Sequence, residues 1–388
     1  MFIKGEVKEL MDEAIELRRD FHKHPEIGFS EIRTSAIVEK YLRDLGLKVT
    51  RIAKTGIAGV LEGGMPGKTV MLRADIDALP VLEETGLPFE SENKGVMHAC
   101  GHDGHISMLL IAAKILSRHK SEIKGKIKFA FQPNEEDAGA QIMIDEGVLQ
   151  DPKVDAAIGL HIWSPIPTGK IGIVPGPIMA SSYYFKLTIK GRGGHGGAPH
   201  KAINPLSPAV DIIQGIRTIQ AEEFDTMKPT LITVGKIEYG TKAIIIPDTL
   251  TMEGSIRCLH NNEKQVHQRF KELVAGICTN HRTSFELELK CGNSLLNNDP
   301  VLTRLTMKTA SEILGEDNIL TEDVSVMLGD DFAEFGNEVP VVYYFLGTGN
   351  AEKGTNYEHH NAAFNIDEDS LPIGIEMHIK TALAYLNG

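Results

Sequence analysis

Four short segments of the chain carry side chains able to give a lone pair to a cation. Met97-His98-Ala99-Cys100-Gly101-His102-Asp103-Gly104-His105 places a thiol and three imidazoles within nine residues, just before a helical pattern. The glycines let Cys100 and His102 turn toward one point, although the same stretch also reads as a polar loop with Asp103 capping a helix. Gln132-Pro133-Asn134-Glu135-Glu136-Asp137 sets three carboxylates directly after the apolar run from Ile127 to Phe131. In open α/β sheets, functional groups gather at such carboxyl ends of strands. By itself an acidic loop is ordinarily solvated. His161 ends the apolar run Ala156 to Leu160, and Glu358-His359-His360 precedes the last helical stretch. Neighbours in an extended loop point in opposite directions, so only one histidine of that pair is expected to face a given site. Together the segments can furnish five N, S or O donors, more than a lone tetrahedral zinc takes and about right for two ions sharing a bridge.

Other catalytic patterns fit less well. The chain has no H-E-x-x-H and lacks the H-x-E with P-C-x-x-C of zinc deaminases. Gly191, Gly193 and Gly196 satisfy G-x-G-x-x-G, with Asp211 at the distance a dinucleotide site needs. The context is wrong, because the turn continues through Ala198-Pro199-His200, no helix opens after the glycines, and Asp211 falls inside a helical pattern.

The elements that must position these donors follow from hydrophobic spacing. Helical periodicity runs from Val7 to about His22 and from Ser35 to Leu45, and again over Ile106 to Ser117 and Gly139 to Gly147. Strand-like pieces lie between, at Gly59 to Glu62, Thr69 to Asp75, Ile127 to Gln132 and Ala156 to His161. This interleaving predicts an α/β layer with a largely parallel sheet. From Tyr183 to Lys290 the order becomes strand, helix, strand, strand, helix, strand, a ferredoxin-like βαββαβ unit between linker-like Pro175-Gly176-Pro177 and Cys291-Gly292-Asn293. The reading is a discontinuous domain over 1–180 and 291–388, with residues 181–290 inserted as a second domain. Val339 to Phe345 is expected as a buried strand of the first.

Composition narrows the partners. A net charge of −13, with no basic stripe interleaved with aromatics, argues against nucleic acid. No apolar run approaches the length of a membrane span, and the N-terminus shows no signal-peptide pattern, so a cytoplasmic protein is expected. The four cysteines lie far apart, without C-x-x-C, and do not read as a disulfide framework.

His98-Ala99-Cys100-Gly101-His102-Asp103, Gln132-Pro133-Asn134-Glu135-Glu136, Gly159-Leu160-His161 and His359-His360, in that order, resemble the metal-dependent aminoacylase and carboxypeptidase family. The likeness is to the branch of hippurate hydrolases, auxin-conjugate hydrolases and N-acetyl-diaminopimelate deacetylases. It covers nearly the whole chain, including Arg18-Arg19-Asp20-Phe21-His22-Lys23-His24-Pro25-Glu26 and Gly193-Gly194-His195. The resemblance implies a di-metal peptidase-like α/β catalytic domain with an inserted lid and dimerisation domain, and a homodimer. It implies Cys100, His102, Glu136, His161 and His360 as ligands of two divalent ions, with the Cys100 thiolate bridging. Zinc is the expected metal, with manganese, nickel and cobalt as alternatives. Glu135 would be the general base, Asp75 would support a ligand from behind, and His195 would stabilise the oxyanion in its own or the partner chain's site. The implied substrate is an N-acyl amino acid, with a dipeptide or carboxypeptidase substrate, or a non-catalytic metal-bearing protein, as alternatives. The sequence departs from the branch at Ile244, where relatives often carry Asn, at Asp137-Ala138, where glycines are common, and at Glu358. These departures bear on the substrate.

Overall fold

The computed structural model describes residues 3–388, which divide into two compact units. The first runs to Ile178 and continues over Leu296–Ser325 and Asp330–Gly388. Its centre is an eight-stranded mixed sheet in the order Lys48–Ile52, Gly56–Glu62, Lys124–Gln132, Met65–Asp75, Ala156–Pro167, Val341–Gly349, Ile171–Gly172, Ile319–Leu320. Lys124–Gln132, Met65–Asp75, Ala156–Pro167 and Val341–Gly349 are mutually parallel. The α/β class expected from the alternating pattern is the one observed.

Register is what matters for the site. Asp75 lies opposite Gln132, and Phe345 opposite His161, so adjacent parallel strands end at a common level. The strands read as continuous apolar runs because both faces are covered. Leu72, Phe129, Ile158 and Tyr344 are fully buried. Helix His102–Arg118 is apolar nearly all round and buried along most of its length. It packs among helices Met11–Lys23 and Leu371–Asn387 in the main hydrophobic core.

The second unit spans Met179–Leu295 with a return over Val326–Gly329. Its sheet is antiparallel, ordered Thr230–Tyr239, Thr249–Cys258, Ser181–Lys190, Ser284–Asn293. Helices Leu206–Thr218 and Glu263–Asn280 contribute Ile212, Ile216, Phe270 and Val274 to a core with Leu187, Leu250 and Met252. Alternate residues of Ser181–Lys190 point away from that core, as a sheet covered on one face requires. The βαββαβ order is the one read from the sequence.

Three local expectations are corrected. The helix begins at His102 and not beyond the histidines, with Gly101 at φ +85° as its N-cap. Asp103 is therefore inside the helix and caps nothing. Cys291-Gly292-Asn293, read as linker, closes the strand Ser284–Asn293, where Cys291 pairs with Tyr183 and Asn293 with Ser182. Gly176 likewise opens a strand, Gly176–Met179. The return over Val326–Gly329 has no signature in the sequence; Ala180 N–H donates to Leu328 O at 2.8 Å and Arg257 to Met327 O at 3.1 Å.

Candidate metal centre

The parallel strands deliver the donors. Cys100 and His102 flank the N-cap Gly101, whose left-handed backbone turns both toward the strand ends. Glu135 to Asp137 form a 3-10 turn between Asn134 and Ala138, both at positive φ (52° and 65°). Glycine would adopt that conformation at position 138 with less strain than the alanine present.

Donor atoms of Cys100, His102 and Glu136 lie within 4.8 Å of one another. Cys100 Sγ is 3.5 Å from His161 Nε2, and Glu136 Oε1 is 3.2 Å from His360 Nε2. The five residues singled out as ligands thus meet in one place. Their tautomers suit the purpose. His161 Nδ1 donates to Ile162 O at 2.6 Å and His102 Nδ1 to Asp77 O at 2.8 Å, leaving each Nε2 to face the other donors. His359 faces elsewhere: its Nε2 donates to Ile162 O at 2.9 Å and its ring packs on Trp163 and Phe364.

The environment favours cations. His102 Nε2 and Glu136 Oε1 are buried without a directed hydrogen-bond partner. Burial opposes charge on His102, but Asp75 and Asp77 outweigh it and push its pKa up to about 10, so the ring becomes a neutral ligand when a metal ion displaces its proton. Burial, Glu136 and Glu135 all push the Cys100 thiol up, so its thiolate form calls for positive charge nearby. Burial and the neighbouring imidazoles His105 and His359 hold His161 neutral. A thiolate, a carboxylate and neutral imidazoles are a donor set that fits divalent transition ions.

Glu135 is turned to a different neighbourhood. Its carboxylate lies within 4.8 Å of Asp330 and Asp331, and burial, then Asp330 and Glu136, raise its pKa well above the usual carboxylate range. Arg73, fully buried, anchors this acidic ground by donating to Gln132 (2.8 Å), Asp75 (2.6 Å), Asp330 (3.2 Å) and Asp331 (3.3 Å). Asp75 in turn accepts from His105 Nδ1 at 2.5 Å and sits 3.7 Å from His102 Nε2.

Arg73, Asp77, Asp330 and Asp331 were not singled out from the sequence, and His105 only as one imidazole of its segment, without this role. Two signals were available: Arg73, Asp75 and Asp77 alternate along one strand and its extension, and His105 follows His102 by one helical turn. His195 lies in the second unit, where Gly194–His195 pairs with Ile245–Ile246 and Nδ1 accepts from Gly197 N–H at 2.9 Å. It lines a cavity of about 520 Å³ with Ile244, Ile245 and Pro247.

A parallel-centred α/β unit whose strand ends converge on thiol, imidazole and carboxylate donors defines a metal-dependent hydrolase. Residues 71–384 match the model of Peptidase family M20/M25/M40. The chain belongs to that family, and it is a metal-dependent hydrolase of amide bonds. It is 40% identical over 392 residues to thermostable carboxypeptidase 1 of Saccharolobus solfataricus, covering 99% of this chain and 98% of that protein. It is 39% identical over 297 residues to the N-acyl-L-amino acid amidohydrolase of Geobacillus stearothermophilus, covering 74% and 80%. Among solved structures, a dinuclear metal-binding peptidase of the M20 family from Bacillus subtilis superposes with a TM-score of 0.85 at 30% identity, over 98% of this chain and 99% of that one.

Proposed function

We propose that the chain hydrolyses N-acyl amino acids to a carboxylate and a free amino acid, with two divalent ions held by Cys100, His102, Glu136, His161 and His360. The observation that carries this reading is the meeting of those five side chains from four distant segments, with Glu135 adjacent but turned toward Asp330 and Asp331. The names of the Geobacillus amidohydrolase and of the Bacillus dinuclear peptidase support the substrate class and the ion number. A thiolate ligand favours zinc; manganese, nickel and cobalt remain alternatives.

When bound, the ions supply Lewis acidity toward the amide carbonyl and make water more acidic. With the charge of the bound ions favouring its ionised form, Glu135 would take a proton from the attacking water and pass it to the amide nitrogen as the C–N bond breaks. The water oxygen ends in the new carboxyl group; Glu135 delivers one of the water's protons to the amide nitrogen, and the carboxyl group yields the other to the amine, giving carboxylate and ammonium. His195, in its own or the partner chain's site, would donate to the developing oxyanion, and the inserted domain would serve as lid and dimer interface. The Asp77 carbonyl holds the ligand His102 from behind through Nδ1, while Asp75, fixed by His105 and 3.7 Å from His102 Nε2, supports the site by its charge. The compartment is the cytoplasm, whose reducing poise keeps Cys100 available as a ligand.

A carboxypeptidase is the second reading, favoured by the 40% identity to the Saccharolobus enzyme. Turnover of N-acetyl, N-benzoyl and dipeptide substrates with zinc, manganese or cobalt separates the two. Substituting Glu135 and Glu136 one at a time, with metal content and turnover measured together, tests the assigned roles.

A further inference from the structure

Arg18 lies on helix Met11–Lys23, offers no lone pair to a cation, and is 1% exposed. Its guanidinium is divided between two stretches of chain. Nε donates to Asp103 Oδ2 at 2.8 Å, while Nη2 donates to Asn365 Oδ1 at 2.9 Å and Nη1 to Glu368 Oε1 at 3.1 Å. Asp103 directly follows His102, and Asn365 and Glu368 lie shortly after His360. The neighbours reinforce the arrangement. His22 bonds the same Asp103 oxygen at 2.8 Å and Glu83 at 3.0 Å, and Arg19 grips Glu368 with bonds of 3.0 and 2.6 Å. Both guanidiniums stack over Phe89.

A buried guanidinium loses much of its hydration, so its retention is weak evidence for stability alone. What it offers is geometry, since a rigid planar fork satisfies three acceptors at fixed angles and a lysine ammonium does not. The backbone joins the two donor segments directly by the bond from His360 N–H to Ala99 O, at 2.8 Å. Arg18 supplies the side-chain brace beside it.

We infer that Arg18 is a positioning residue for the metal centre: it clamps the helix carrying His102 to the loop carrying His360 and thereby sets how tightly the ions are retained. The inference rests on the proposed assignment of those two histidines as ligands. A purely structural role would tie helix Met11–Lys23 to the core without regard to metal. Lys114 provides the comparison, because it joins the same two helices through Glu13 (2.6 and 2.9 Å) at a place remote from the donors.

The test uses the full-length zinc-loaded protein and follows zinc transfer to an excess of a colorimetric chelator, with thermal midpoints measured alongside. Arg18→Lys and Arg18→Gln are expected to release zinc at least ~10-fold faster than wild type, the scale on which residues supporting metal ligands act. Asn365→Ala and Glu368→Gln should fall between, and Lys114→Met should release zinc at the wild-type rate whatever its melting temperature. Wild-type release from Arg18→Lys and Asn365→Ala overturns the inference. So does release from Lys114→Met as fast as from Arg18→Lys. Should the Arg18 variants not fold, Asn365→Ala and Glu368→Gln decide the matter by themselves. A wild-type protein that takes up no zinc overturns the ligand assignment, and the clamp with it.

Discussion

His105 Nδ1 donates to Asp75 Oδ1 at 2.5 Å while His105 Nε2 accepts the Ile162 N–H at 2.8 Å, so one tautomer of His105 joins the strand before the first donor segment to the strand that carries His161. Asp75 is equally constrained, with Arg73 on its other oxygen at 2.6 Å. An asparagine at position 75 can present its oxygen to only one of these two donors and must oppose the other with its own N–H groups. Asp75→Asn is therefore expected to weaken metal binding about 10- to 100-fold and to lower stability by up to about 3 kcal/mol. Competition against a chelator and a thermal melt check both; metal affinity equal to wild type would contradict the supporting role.

A second prediction concerns pH. His22 is buried between Asp103 and Glu83. Burial disfavours its charge, but Asp103 and Glu83 more than compensate and raise its pKa above 6.5. Because the folded pKa exceeds the unfolded one, the protonated ring adds stability that is complete below about pH 6.5 and is lost as pH rises through the folded value. Denaturant unfolding of the chelator-treated protein across pH 6 to 9 should show a decline that His22→Gln lacks. Parallel curves for the two proteins would rule the effect out.

Much of the site was legible because its donors follow apolar runs. Ile127 to Phe131 and Ala156 to Leu160 announce strands, so those runs alone place Glu135, Glu136 and His161 at strand ends. The start of the helix at His102 was hidden, because its N-cap is a left-handed glycine with no capping side chain and the buried helix shows little polar face to set its phase. Asp330 and Asp331 sit in a loop without periodicity. They approach Glu135 only through the sheet order that sets Val341–Gly349 beside Ala156–Pro167. The return of Val326–Gly329 to the second unit depends on backbone carbonyls, which leave no trace in side-chain pattern.

The dimer proposed through the inserted domain has a candidate edge. Thr230–Tyr239 is an outer strand of the four-stranded sheet, and it exposes Leu231 and Ile237. An unpaired edge bearing apolar side chains invites pairing with a second copy. Light scattering should give a dimer at working concentration, and Ile237→Lys should shift it toward monomer. A fully active wild-type monomer would remove the proposal.

His195 is expected to act on turnover and not on metal content, since its residues of contact are Gly197 and Ile245 within the inserted domain. Removing one donor to a developing oxyanion lowers kcat by about 100- to 1,000-fold. His195→Ala should show that loss with metal content unchanged. Wild-type kcat would return His195 to the part of a turn histidine among glycines.

The adjacent carboxylates give the sharpest prediction. Neighbouring side chains on a short turn after a strand diverge, and here Glu136 meets Cys100, His102 and His360 while Glu135 meets Asp330 and Asp331. The proposed division of labour is ligand for Glu136 and base for Glu135. Glutamine at 135 keeps the shape but cannot accept the proton, so kcat is expected to fall at least ~100-fold with metal retained, the scale of general-base catalysis. Glutamine at 136 removes a charged donor from the set, so metal content and the stability conferred by metal should fall first and turnover with them. Metal analysis, thermal melts with and without chelator, and initial rates on both variants distinguish the roles. An active Glu135→Gln protein would eliminate this mechanism, and metal loss confined to Glu135→Gln would exchange the two assignments.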